Sequence, residues 1–515
     1  MKAFRLAAGA ALSLLLLSAY GEQYYQSKTP YAPQQDGASY EAAPPGYRPV
    51  YTQLLARHGS RGLSSFKADL ALYNLWQQAG KQHALTPLGR QLGPDIVQLM
   101  KANFLLGYGV DGIGKPGYGN ETMQGVAEHT QLAQRLYQRL PQLFQDAAGQ
   151  SRQIVVVTSG KDRAVDSGYF FTRSLLAQQT SLAPLLAYPD SLAPLAETSH
   201  DSRPRGSDRY LLYFHKLSAK QDRVAAATDP LYPAYQASQS YQAWLKSGEL
   251  RARQAAILAQ PRLAAAAKTV LERLFTPAFV AALDQGRYRI ANTGSYSYTS
   301  ADGKFTNTLS GDGAAVIASA TDAALALYQL YAAAAGMRHE VAADFTRYLP
   351  PAQAEVFAAV DDAQSFYAKG PGIAENGDLN YRMATTLLGD FFNEVDAVAG
   401  GDLSHAAKLR FSHAEIVIPM AAILGLPGMA AQLPRAAMYS YDNNPWRGAT
   451  VAPMAANIQW DVYTDGKGGK GDILLRMLYN EKETDFKPAC DSARIAPASH
   501  FYRYSQLRSC YKELL

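Results

Sequence analysis

The chain has 515 residues, 48% of them hydrophobic and 18% charged, with a formal net charge of +5 at pH 7. It runs well past the ~250–300 residues at which a single hydrophobic core stops growing, so at least two domains, or one large inserted domain, are expected. The absence of a dense basic run or of aromatic–basic interleaving excludes a dedicated nucleic-acid binder.

At the N-terminus, Lys2 and Arg5 precede an apolar run from Leu6 to Leu17 and the small-residue stretch "SAYGE". This layout predicts a secretory signal peptide over 1–21, cleaved near Gly21; the run falls short of the ~20 residues a membrane span needs. No cysteine there could carry a lipid. Loss of Lys2 and Arg5 would leave 5 − 2 = +3 on the mature chain, expected in the periplasm or secreted and free of the membrane. "PVYTQLLA" (49–56) and "QIVVVTS" (153–159) read as buried strands, each followed by a polar turn, with helical spacing in "TQLAQRLYQRLPQLFQDA" between them. Residues 45–190 therefore read as the first part of an α/β core.

From 191 to 404 alanine-rich helical stretches dominate, and a mainly α-helical insertion is expected. Asp322 and Gln329 interrupt the most apolar of these, "GAAVIASATDAALALYQLYAAAAG", which argues for a packed helix over a membrane span. Strand signals return in 405–515, with "KLRFS" and then "ANIQWDVYTD" and "ILLRMLYNEKE" flanking the turn-rich "GKGGKG" as a hairpin. The predicted class is α/β: a mostly parallel-sheet core split in sequence around a helical insertion. Cys490 and Cys510 are the two cysteines and are expected to pair in an exported chain. No CxxC or HExxH spacing accompanies them, so neither metal nor cofactor is expected.

"ARHGSRG" (56–62) closes the first predicted strand with a histidine between two arginines. Arg57 and Arg61 offer planar guanidinium forks that match phosphate oxygens, and a neutral His58 could attack phosphorus. In "TSGKDRAVDSG", Arg163 follows the second strand, at the edge where α/β sheets place ligands. A poor alkoxide leaving group also requires a proton donor. "LRFSHAEIVIPM" supplies His413 and Glu415. In a continuing strand both would face one way; alternatively a helix begins near Glu415, with Pro419 in its first turn and amide N–H groups toward a phosphate. The helix dipole would lower the Glu415 pKa, while burial and bound substrate are expected to raise it again. A second His-Asp pair, His200–Asp201 in "SHDSRPR", has no preceding strand and ranks below His413 and Glu415 as donor.

"RHGSR" resembles the RHGxR signature of the histidine phosphatase superfamily, in the form used by its acid-phosphatase and phytase branch. Most of that branch carries His-Asp where this chain has "HAE", which is similar to the multiple inositol polyphosphate phosphatases, as are "LTPLGRQLG", "GYGNETMQG", "VAPMAANIQWDVY" and "RMLYNEKE". The likeness is clear over 47–190 and 405–515 and thin in the helical middle. It implies a metal-independent phosphomonoesterase acting on inositol hexakisphosphate and related inositol polyphosphates. His58 would be the nucleophile and Glu415 the proton donor, with Arg57, Arg61, Arg163 and His413 on the reacting phosphate. Lys67 is a candidate substrate contact by the same resemblance, and Arg203 and Arg205 by charge alone. The alternatives are a broad acid or sugar phosphatase and, in another class, a non-catalytic inositol-phosphate binding protein. "GIGKPG", "SSFK" and "GKGGKGD" match glycine-rich, SxxK and Walker patterns only superficially, lacking a helix start, a KTG partner and a Ser/Thr respectively.

Overall fold

The computed structural model describes residues 24–189, 206–222, 227–466 and 473–514. The segment expected to be a leader, the His200–Asp201 pair, Arg203, Arg205 and most of the "GKGGKG" turn lie outside the described residues. The central sheet is built from β1 (Arg48–Arg57), β2 (Gln153–Thr158), β3 (Leu186–Ala187), β8 (His405–Ser412), β9 (Asn457–Thr464), β10 (Ile473–Tyr479), β11 (Lys482–Glu483) and β12 (Phe501–Arg503). Between β3 and β8 in the chain lie two small pairings, β4 (Ile290–Ala291) with β7 (Val316–Ile317) and β5 (Ser295–Thr299) with β6 (Thr306–Ser310). Spatial order in the central sheet is β11-β10-β9-β1-β8-β2-β3, with β12 on β10. The α/β class holds. Parallel pairing is confined to β1, β8, β2 and β3, and β9 to β12 run antiparallel, because a hairpin of short reach joins β9 to β10 while β1, β2 and β8 are linked by long helical crossovers.

Alternation along the strands sets the two faces. Leu54 and Ala56 of β1 and Ile154 and Val156 of β2 join Leu132, Phe144 and Phe171 beneath the helices Met123–Arg139, Pro141–Gln150 and Asp162–Gln178. Their neighbours Leu55, Val155 and Val157 face the larger core, shared with Phe391 of helix Thr385–Ala399 and Ile416 of helix Ala414–Ile423. On that second face β8 turns Lys408 and Arg410 inward rather than apolar groups. Asp390 accepts from both, at 2.6 Å from Lys408 Nζ and 2.5 Å from Arg410 Nη2, and the Arg410 guanidinium lies over the Phe391 ring. Burial alone would push the Asp390 carboxyl up, but the two cations outweigh it and hold it below the usual range.

The apolar stretch at 313–336 forms helix Ala320–Ala334, and no described helix is long and apolar enough to cross a membrane. Leu327 and Leu330 of this helix share a core with Leu70 and Leu75 of helix Ala68–Lys81, so helices from before residue 190 pack among those of the insertion. Glycine permits one of these contacts: a Cβ on Gly89 would lie 1.8 Å from the Leu274 carbonyl oxygen.

At the C-terminus Cys490 and Cys510 form a disulfide, Cα atoms 5.7 Å apart across a sequence separation of 20. Loop-closure entropy for that length predicts that Cys490→Ser with Cys510→Ser lowers stability by about 3 kcal/mol. The measurement is the denaturant unfolding free energy of the double variant against the unmutated protein, with an m-value that rises as the unfolded chain expands.

Candidate active site

The parallel strands end side by side. Arg57 is opposite Ser412 across β1 and β8, and Thr158 is opposite Phe411 across β2 and β8, so the residues that follow each strand, His58, His413 and Ser159 to Lys161, meet at one carboxyl edge. Helices beginning just beyond this edge direct their positive ends toward it.

His58 is buried, and its backbone N–H donates to Ser412 O at 2.9 Å, tying the turn to β8. Its Nδ1 lies 2.9 Å from Gly59 O. A carbonyl can only accept, so Nδ1 carries the ring proton and Nε2 presents its lone pair. Burial, with Arg163, Arg57, His413 and Arg61 adding repulsion, holds the imidazole pKa well below its ordinary 6.5; the ring stays neutral and nucleophilic. The turn is set by two buried acids. Glu121 Oε1 accepts from Gly59 N at 2.7 Å, and Glu128 accepts from Ser60 N and Ser60 Oγ, each at 2.7 Å. Gly59 is required where it stands, since a Cβ would come within 2.6 Å of Gly125 Cα.

Three arginines converge on this histidine. Arg57 Nη1 donates to Ala452 O at 2.5 Å and to Ser27 O, and Arg61 Nη1 donates to Gly62 O at 2.8 Å. Arg163 sits in the first turn of helix Asp162–Gln178. In all three the buried Nε is left without an acceptor among the described residues. Burial pushes the Arg57 pKa down to about 10, with Arg163 adding to the fall and Glu415 opposing it; burial, Arg163 and Arg57 bring Arg61 to about 9. Buried donors that repel one another and lack partners make a site that an anion would stabilise.

His413 is the N-cap of helix Ala414–Ile423, in extended conformation (φ −132°, ψ 167°), so of the two alternatives the helix is the one formed. It begins at Ala414, one residue earlier than expected, which places Pro419 in the second turn, where its missing N–H leaves the Glu415 carbonyl without its helical donor. His413 Nε2 is 2.8 Å from Ser159 Oγ, and its ring centroid is 5.5 Å from that of His58. Glu415 pairs with Lys369, Oε1 to Nζ 3.2 Å. Burial pushes the Glu415 carboxyl up, as expected, but is outweighed foremost by the Lys369 ammonium, which holds the group well below the usual carboxylate range. The free protein therefore keeps Glu415 ionised. Among the described residues no three His, Cys, Asp or Glu side chains gather as a cation site.

The family model "Histidine phosphatase superfamily (branch 2)" matches residues 51–480. The chain belongs to that superfamily. Crystal structures of the Bifidobacterium longum multiple inositol polyphosphate phosphatase, 33% identical, cover 95% of this chain and 97% of their own, with a TM-score of 0.79 for the complex with inositol hexasulfate and 0.81 for the complex with phosphate. The chicken multiple inositol polyphosphate phosphatase 1 is 25% identical over 170 residues, 35% of its length, and the human protein 24% over 172 residues, 32% of its length. The chain thus matches about a third of each of these curated relatives.

Within this histidine phosphatase, the structure brings His58, Arg57, Arg61, Arg163, His413 and Glu415 to one site. Lys67 is half-exposed, its Nζ bound to Asp312 at 2.8 Å. Three basic or hydrogen-bonding groups had no sequence signal of their own: Lys369, which ends helix Pro351–Ala368; Lys28, in the N-terminal segment; and His215, in the 3-10 turn Phe214–Lys216. Ser159 was within reach, because it closes the strand that carries "TSGKDR".

Proposed function

We propose that the protein is an exported phosphatase that hydrolyses inositol hexakisphosphate and other inositol polyphosphates through a phosphohistidine on His58. The observation that carries the reading is a neutral buried imidazole facing three arginines whose Nε donors lack partners among the described residues. In the first step His58 Nε2 attacks phosphorus while Arg57, Arg61, Arg163 and His413 hold the equatorial oxygens, and Glu415 gives its proton to the departing inositol oxygen. In the second, the ionised Glu415 takes a proton from water as that water displaces His58.

Cation surplus favours a substrate with several phosphates. Lys28 is half-buried beside the clamp; burial pushes its ammonium down to about 8, with Arg61, Arg57 and Lys369 adding repulsion and Asp361 opposing. One reacting phosphate does not need two lysines besides three arginines, whereas neighbouring phosphates would. The likeness to a protein crystallised with inositol hexasulfate supports the same class. The predicted leader and the disulfide fit an oxidising compartment outside the cytoplasm.

A chromatographic time course of inositol hexakisphosphate degradation, set beside glucose 1-phosphate and an aryl phosphate, tests this reading. Stepwise loss of phosphates at a kcat/KM above that for glucose 1-phosphate is expected. Preference for the sugar phosphate would instead make it a broad phosphatase, and tight binding with no phosphohistidine and no phosphate release would make it a binding protein. Lys28→Met is expected to raise KM for inositol hexakisphosphate about tenfold, the worth of one charge-assisted contact, and to change kcat/KM for the aryl phosphate by a smaller factor.

A further inference from the structure

Lys369 stands apart from the clamp and pairs with the proton donor. It caps the C-terminal end of helix Pro351–Ala368, where its backbone N–H donates to Ser365 O at 2.9 Å, so the main chain is held while the side chain reaches 3.2 Å to Glu415 Oε1. Both side chains are partly open to solvent, 23% for Lys369 and 34% for Glu415, and a single contact joins the pair. That is unlike the structural ion pair Arg410–Asp390, in which the guanidinium is fully buried and donates twice. A single, solvent-accessible ammonium–carboxylate contact exchanges readily for a more highly charged partner.

We infer that Lys369 couples the proton donor to the arrival of a second phosphate. In the free protein it keeps Glu415 a carboxylate; a phosphate next to the reacting one draws its ammonium away, and Glu415 then takes up the proton it must later give. The inference rests on the phosphatase reading above and deepens it.

The groups that face Glu415 decide this between them. Lys369, His215, His413, Arg57 and Arg61 interact with it electrostatically, and Tyr241 of helix Tyr232–Leu245 faces it as well. Arg57, Arg61 and His413 are committed to the reacting phosphate, whose charge offsets theirs. Burial pushes the His215 imidazole down to about 3 and the Tyr241 phenol up, so both stay neutral. Among the described residues Lys369 remains as the cation in contact with the carboxylate. Once it moves to a neighbouring phosphate, Glu415 lies half-buried beside phosphate anions with no ion-pair partner, and it gains a proton from solvent. As the bond from His58 Nε2 to phosphorus forms and the phosphorus–oxygen bond breaks, the electron pair of the broken bond stays with the inositol oxygen, which takes the Glu415 proton. Glu415 is again a carboxylate, and Lys369 returns to it when the product leaves.

The test is the pH profile of kcat on the full-length mature protein with two alkyl substrates, inositol hexakisphosphate and glycerol 2-phosphate, which carries one phosphate. A third substrate, p-nitrophenyl phosphate, needs no proton on its leaving group. The alkaline limb, where the donor loses its proton, is expected about one pH unit higher for inositol hexakisphosphate than for glycerol 2-phosphate. Lys369→Met should move the glycerol 2-phosphate limb up to meet the other, leave the pH profile on p-nitrophenyl phosphate unchanged and raise KM for inositol hexakisphosphate. Lys369→Arg should restore the separation, which a merely structural role would not require. Coincident limbs in the unmutated protein overturn the inference whatever the variants do, and so does a separation that survives Lys369→Met. Failure of the unmutated protein to hydrolyse any of the three would instead overturn the phosphatase reading, and the coupling with it.

Discussion

Replacing His58 with alanine is expected to reduce kcat for inositol hexakisphosphate on the order of a million-fold, which in practice means to the detection limit. The magnitude follows from the geometry. Arg57, Arg61 and Arg163 would still bind the phosphate, so KM should change little, but no other described group is placed to form the covalent intermediate: the nearby His413 ring, its Nε2 2.8 Å from Ser159 Oγ, belongs to the phosphate-holding set. Alanine leaves the glycine turn intact, because Gly59 N and Ser60 N donate to Glu121 and Glu128 independently of the imidazole. The pH dependence carries a matching sign. The nucleophile must be neutral, and burial together with the surrounding arginines lowers the His58 pKa well below 6.5. Activity on an aryl phosphate is therefore expected to persist as the pH falls through 6.5, with no inflection there. Phosphate release by His58→Ala near the unmutated rate, or a phosphohistidine trapped from that variant, would remove His58 from the role assigned to it.

Glu415→Gln carries the second large effect, a fall in kcat of about 10²- to 10⁴-fold for inositol hexakisphosphate, the usual worth of a positioned general acid. For p-nitrophenyl phosphate, whose leaving group is stable as an anion, the loss should be far smaller. The acid must be protonated to act, and in the free protein burial, which raises its pKa, is outweighed foremost by the Lys369 ammonium, which holds it ionised. Turnover of alkyl phosphates should therefore decline as pH rises through the pKa that Glu415 has in the complex. Glutamine has no proton to lose, so this limb should vanish in the variant. Equal losses on the alkyl and aryl substrates would show that Glu415 serves binding rather than proton transfer.

Most of the groups proposed to act on the reacting phosphate are legible in the amino-acid sequence, because each closes a strand. A buried strand followed by a polar, glycine-containing turn is a local pattern, and "ARHGSRG", "TSGKDR" and "RFSHAE" repeat it with chemistry-bearing side chains at the turn. That the three turns would meet was an inference from the α/β class; it required β8, some 350 residues after β1, to pair between β1 and β2. The form taken by "HAE" was not legible, since strand and helix both fitted the spacing. Packing decided it by burying Ile416, Val417 and Ile418 in the core as one helix. Lys67 drew notice by its closeness in sequence to the clamp, whereas its pairing with Asp312, some 245 residues away, follows from no local pattern.

Type and order of the reactive groups are properties of the chain itself, carried by short motifs whose turns form wherever the strands do. Their charge states are not. The expectation that burial and bound substrate raise the Glu415 pKa did not include Lys369, which stands 46 residues away in a stretch, "AKGPG", with no periodicity and no motif. A pKa depends on the distance and desolvation of every charge nearby, and those are decided only when a helix end from the insertion, the segment around Lys28 and the end of β8 are packed against one another.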